Sequence, residues 1–294
     1  MFSSPECFAP RRFLNMPPSR VALCLNSSFL GFFAHAGFLE ALTAFGVRPV
    51  ALSGASAGAI VAGAHAAGME PRAIVEWMLG GDLKGAFREW GSPWRMLATF
   101  LNRPGHTGAL RGHRGLELLH ERLGDRRIEE CPLRLAIAAT DLTRGRAAML
   151  TAGPLAEAIL ASAAFPGMFA AQRIDGALYW DGGVADPIPF EHWIGDPAID
   201  TILVHVVTNP GDAAARNAGD RHSIVTAGGL AHQILCDELL RLKTEMARRA
   251  GQRVVFLRTL APRPLPWNTA RIGPRCVDIG AETVAANRDI LAAL

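Results

Sequence analysis

Short runs of uninterrupted apolar residues alternate along this chain with stretches of helical spacing. Val21 to Leu25 (VALCL) is apolar at every position, as a strand covered on both faces requires. A polar-glycine turn follows at Asn26 to Gly31, and Phe32 to Phe45 reads as a helix closed by Gly46. Val50 to Leu52 reads as the second strand. Ala57 to Ala67 is small and apolar, a helix ending at Gly68, and Pro71 opens another that runs to Leu79. Residues 80–110, rich in Gly, Pro, Trp and Arg, read as irregular. A helix is predicted over Arg114 to Leu123, strands over Leu133 to Thr140 and Ala147 to Leu150, and a helix over Pro154 to Ala163 that stops at Phe165-Pro166-Gly167. Arg173 to Trp180 reads as a hairpin turning at Asp175-Gly176. Thr201 to Thr208 (TILVHVVT) and Arg253 to Leu257 complete the strands. Ala227 to Ala250 and Thr283 to Leu294 complete the helices. Strands separated by helices predict an α/β protein with a mainly parallel central sheet and helices on both faces. No Pro/Gly/Ser linker divides the sequence, so one domain is expected over residues 21–294, preceded by a loosely attached extension over 1–20.

Composition narrows the function classes. The net charge of +3 over 294 residues, with Lys and Arg dispersed among Asp and Glu, argues against nucleic-acid binding. Five widely spaced cysteines form no C-x-x-C pair, so neither zinc nor a disulfide framework is implied, and a reducing cytoplasm fits. The first twenty residues lack the apolar core of a signal peptide, and no apolar run approaches the ~20 residues that span a bilayer. No metal-ligand spacing and no dinucleotide-binding glycine pattern appear, so no cofactor is expected. Oligomeric state is not encoded in any motif.

The chemistry concentrates at Gly54-Ala55-Ser56-Ala57-Gly58, a G-x-S-x-G between a predicted strand and a predicted helix. A strand turning sharply into a helix puts its central side chain at the apex of a strained bend. Gly54 and Gly58 lack the Cβ atoms that would clash there. Ser56 then stands at a helix N-terminus, where backbone N–H groups favour developing negative charge. A serine needs a base. Asp181 in Tyr179-Trp180-Asp181-Gly182-Gly183 is a candidate, because Gly182 and Gly183 let another backbone or a substrate approach; a simple Asp-capped turn is the plainer reading. His35 and His205 read as buried residues of helix and strand.

Taken in order, these segments resemble the patatin-like phospholipase family over roughly residues 21–210. The matching motifs are the polar-glycine turn, G-A-S-A-G, T-D-L-x-x-G-R (Thr140 to Arg146), A-S-A-A-F-P-G-M-F (Ala161 to Phe169), and D-G-G followed by D-P-I-P (Asp181 to Pro189). The resemblance implies a three-layer α/β/α sandwich and a catalytic dyad of Ser56 and Asp181. It implies an acyl-enzyme on Ser56 and hydrolysis of lipid or other acyl esters, phospholipids among them, without metal or cofactor. It places an oxyanion hole at Asn26, Ser27, Ser28, Phe29 and Gly31, in the loop from Asn26 to Gly31. That loop departs from the family's glycine-rich pattern and lacks its basic residue; a register anchored on Ala34 to Gly37 puts even Gly31 one step off. Two other readings stay open: a lipid-binding scaffold with a decayed loop, and a non-lipid esterase or acyltransferase using the same dyad. Trp77, Trp90 and Trp94, with Lys84, Phe87, Arg88, Arg95, Met96 and Phe100, suit either a lid packed on the core or peripheral contact with a membrane.

Overall fold

The computed structural model describes residues 19–87, 92–101, 103–210 and 224–294. The central sheet is mixed. Strands β10 (Arg253–Leu260), β9 (Thr201–Thr208), β1 (Val21–Leu25), β2 (Ala51–Gly54) and β4 (Arg134–Asp141) lie side by side and parallel in that order. β5 (Arg146–Leu150) and β8 (Ala177–Asp181) join β4 antiparallel, and β7 (Gln172–Ile174) pairs with β8. The predicted hairpin is present, with positive φ at both Asp175 (47°) and Gly176 (84°), as a tight turn matched to strand twist requires. A second, two-stranded sheet pairs β3 (Gly108–Leu110) with β6 (Gly167–Phe169).

The strands are apolar on both faces because both faces are covered. Val21, Leu23 and Leu25 of β1 enter one core and Ala22 and Cys24 the other; on β9, Leu203 enters the first and Ile202, Val204 and Val206 the second. The larger core is filled from α1 (Phe32–Phe45), α2 (Ala57–Ala66), α3 (Pro71–Gly80), α5 (His113–Leu123) and α6 (Leu155–Ser162), and from the C-terminal helix described next. After the one-turn α7 (Gly182–Ala185), the smaller core is closed by α8 (Ile224–Arg249) and the segment holding Phe190 and Trp193. This is the expected three-layer arrangement.

Two expectations need correction. The region 80–110 is not irregular throughout: a 3-10 turn spans Asp82–Phe87, and α4 spans Ser92–Phe100, with Pro93 in its tolerated first turn. The closing helix begins far earlier than expected, as α9 (Thr269–Ala286), then α10 (Arg288–Leu291). Gly273-Pro274 reads locally as a helix stop, yet packing overrides it. A Cβ at Gly280 would lie 2.1 Å from the Ala34 carbonyl oxygen, and one at Gly37 would lie 2.1 Å from that of Val277. Glycines thus let α1 and α9 cross with their backbones almost touching. Of the expected extension, 1–18 lie outside the described residues, whereas Ser19 and Arg20 bond Thr201 and Asp200. The side chains of Lys84, Phe87, Arg88 and Trp90 also lie outside them.

The register of β4 fixes where chemistry can occur. β2 and β5 flank Ile137 on opposite edges, and β5 and β8 flank Ala139 likewise, so β2 and β8 share one edge of β4. They run toward each other. Gly54 ends β2 opposite Ile137, and Asp181 ends β8 opposite Ala139. The ends are offset by two residues along β4, about 7 Å. Strand ends 127 positions apart in sequence face each other there.

Candidate active site

Between those strand ends sits the elbow. Ser56 adopts φ 53° and ψ −119°, a backbone conformation that costs an L-residue on the order of 1–3 kcal/mol and is held only by its surroundings. Those surroundings are tight. A Cβ at Gly54 would lie 2.5 Å from the Gly58 carbonyl group, and one at Gly58 would lie 2.2 Å from the Leu25 carbonyl oxygen. The Ser56 N–H donates to Ser162 Oγ at 2.9 Å, and Ser162 is fully buried. Gly58→Val should therefore destabilise the chain by at least about 2–3 kcal/mol in urea unfolding, because the Leu25 and Asn26 backbone that its side chain would meet cannot yield; a loss below ~0.5 kcal/mol contradicts this packing.

Asp181 is anchored through its backbone. Its N–H donates to Ala164 O at 3.0 Å, and its carbonyl accepts from Thr140 Oγ1 at 2.8 Å. Its carboxylate accepts from the Gly183 N–H at 2.6 Å and lies within electrostatic reach of the Ser56 side chain. Burial pushes this carboxyl up from 3.8 to about 6, against the Ser56 side chain and the Gly183 N–H, which favour the charged form. Both glycines after it are structural necessities. A Cβ at Gly182 would meet Ala138 O at 2.4 Å, and one at Gly183 would meet Ser27 Oγ at 2.2 Å.

The loop after β1 crosses in front of this pair, and its amides divide. The Asn26 N–H donates to His205 O, the Ser27 N–H to Pro187 O at 2.8 Å, and the Gly31 N–H to Ser28 O. The Asn26 side chain is spent as well, bonding Ser27 O, Val207 O and the Val207 N–H. Asn26, Ser27 and Gly31 are thus loop anchors with engaged amides. The amides of Ser28, Phe29 and Ala57 have no acceptor among the described residues, and all three line the cavity. The loop tolerates its missing glycines because a single non-glycine residue there, Leu30, takes positive φ (52°).

Two buried networks set this loop. His35 Nε2 lies 3.0 Å from Asn26 O, so it carries the proton and leaves Nδ1 bare. His205 Nδ1–H then donates to it at 2.9 Å, and Thr259 Oγ1 donates to His205 Nε2 at 2.8 Å. Burial pushes His35 down to about 4 and His205 well below the usual range, so both stay neutral. On the other side, buried Lys243 donates to both Asp186 oxygens (2.8 and 2.7 Å) and to Ile188 O. That clamp holds Pro187, whose carbonyl receives Ser27. Sequence reasoning passed over Ser162, Lys243 and Ala57. Ser162 and Lys243 each left a signal, a lone polar side chain on an otherwise apolar helical face.

Ser56 and Asp181 open onto a cavity of about 400 Å³. Its wall is apolar, with Phe32, Ile60, Leu119, Ile159 and Phe169 among its residues. No described helix is long and apolar enough to cross a membrane.

Comparison with known proteins bears on the same stretch of chain. Uncharacterized NTE family proteins of Mycobacterium bovis and Mycobacterium tuberculosis are 35% identical over 188 residues, which is 63% of this chain and 48% of theirs. The chain therefore spans about half the length of these relatives. The structure of VipD from Legionella pneumophila aligns with a TM-score of 0.53 at 15% identity, over 93% of this chain and 67% of that one, a likeness of fold. A family model described as patatin-like phospholipase matches residues 23–194, a span that runs unbroken from β1 past both Ser56 and Asp181. By that match, which takes in most of the chain and both ends of its site, the protein belongs to the patatin-like phospholipase family.

Proposed function

We propose that this chain is a lipid acyl hydrolase with Ser56 as nucleophile and Asp181 as its base, acting on phospholipids or related acyl esters. The observation that carries the reading is the placement of the Ser56 elbow beside the buried Asp181 carboxylate on one apolar cavity. Asp181 accepts the Ser56 proton as Oγ attacks the ester carbonyl. The resulting oxyanion finds N–H donors in Ala57, at the start of α2, and in Ser28 or Phe29. Collapse of the tetrahedral adduct expels the alcohol, which takes its proton back from Asp181, and leaves an acyl group on Ser56. Water, deprotonated by the same carboxylate, attacks the acyl-enzyme and releases the acid. The unengaged amides also weigh against the scaffold reading, since a decayed loop has no need to leave donors on residues that line the cavity.

Peripheral contact with a membrane fits the surface. Arg95 ties α4 to Gly108 O of β3, and β3 pairs with β6, whose Met168 and Phe169 line the cavity. On that α4, Trp94 is 78% and Phe100 84% exposed. Apolar surface of this size beside a lipid site suits the interface.

The base must be charged to act, so kcat/KM toward a soluble short-chain ester should rise tenfold per pH unit up to about pH 6, where Asp181 loses its proton, and level off above it. A profile flat from pH 4 to 8 would remove Asp181 from the proton transfer.

A further inference from the structure

The loop in front of Ser56 holds no cation, yet the cavity has one. Arg263 lines it, the only Lys, Arg or His that does so among the described residues. It arrives from Ala261-Pro262-Arg263-Pro264, after β10, well beyond the matched span of 23–194.

Its placement is built rather than incidental. β10 is parallel to β9 as far as Leu260 opposite Thr208, so the segment leaves the sheet at the carboxyl ends of the strands, where the elbow also lies. Ala261 N–H donates to Thr208 O at 3.0 Å, Cys276 Sγ donates to Pro262 O, and Leu265 N–H donates to Asn268 Oδ1. Pro262 and Pro264 fix their own φ, and a residue preceding proline is confined to extended backbone. An exposed arginine thus stands on a stiff bracket. A second, smaller pocket is shared by Arg263 with Ser28, Phe29, Leu30 and Gly31, so the arginine flanks the loop as well as the cavity.

We propose that Arg263 is a specificity-determining residue that binds a phosphate on the alcohol part of the substrate, so that phosphate-bearing acyl esters are preferred over neutral glycerides. This rests on the site being the lipid acyl hydrolase proposed above. An anionic head near a charged Asp181 is repelled unless a cation compensates. A guanidinium's planar fork matches phosphate oxygens.

The test compares dioctanoylglycerol phosphate with dioctanoylglycerol, using wild type, Arg263→Ala, Arg263→Lys and Ser56→Ala. The phosphate-to-neutral ratio of kcat/KM should fall about 10- to 100-fold in Arg263→Ala, the worth of one charge-assisted contact. Most of the fall should appear in KM, and Arg263→Lys should recover part of it. An unchanged ratio overturns the assignment, whether both rates hold or both fall together, while Ser56-dependent cleavage of the neutral ester leaves the hydrolase reading standing. A wild type inert toward both substrates sinks that reading and this inference with it.

Discussion

Ser56→Ala should lower ester hydrolysis by at least about 10⁴-fold while leaving the fold intact. The expectation is this large because the cavity offers no second nucleophile in the same setting. Ser27 and Ser28 also line it, but neither stands at a strained elbow that opens a helix, as Ser56 does. What remains after the substitution is binding plus the donors of Ala57 and the loop, which act only on an attack that no longer has an activated oxygen. The substitution is structurally mild. The Ser56 N–H keeps its bond to Ser162 Oγ, and alanine meets the same φ of 53° with the same Cβ. Activity within tenfold of wild type on purified protein would mean that the chemistry happens elsewhere.

Asp181→Asn carries two opposed effects. Activity should fall by about 10³–10⁴-fold, because an amide cannot take the serine proton. Stability should rise. In the folded chain burial holds the carboxyl up at about 6, against 3.8 ordinarily, so the native state binds this proton more tightly than the unfolded chain does. Stability linked to this group is therefore complete below about pH 4. It is lost as pH climbs toward 6, and above that the charged carboxylate costs on the order of 3 kcal/mol. Asparagine keeps an acceptor for the Gly183 N–H and carries no charge. The variant should melt roughly 5–10 °C above wild type at pH 8 and level with it near pH 4. Thermal unfolding at both pH values checks this, and equal melting points at pH 8 would show that the buried carboxylate is not strained. Such opposition is what a site that trades stability for reactivity shows.

Much of this was legible in the sequence because its signals are local. The elbow needs two glycines and a serine in five residues, and the punctuation at Gly46, Gly68 and Gly124 marks helix ends wherever tertiary packing agrees. The all-apolar VALCL and the mostly apolar TILVHVVT announce strands buried on both faces. What could not be read was set by contacts between distant segments. Gly273-Pro274 signals a stop, and only the approach of Gly37 and Gly280 across the helix pair explains why α9 runs through it. The division of loop amides into engaged and open ones depends on Pro187 and His205, residues that no pattern within Asn26 to Gly31 reveals. Ser162 and Arg263 reach the site through topology alone. The proposed dyad of Ser56 and Asp181 lies between these cases. Each half carries a motif, but their meeting follows from the two-residue offset on β4.

The most direct test of a serine activated by Asp181 is labelling with a fluorophosphonate, which bonds phosphorus to an activated Oγ and expels fluoride. Wild type should take up one equivalent, mapped by mass spectrometry to Ser56, and Asp181→Asn should react at least about a hundredfold more slowly. No labelling of the folded wild type, or a label found on a different serine, would contradict the assignment of Ser56 as nucleophile.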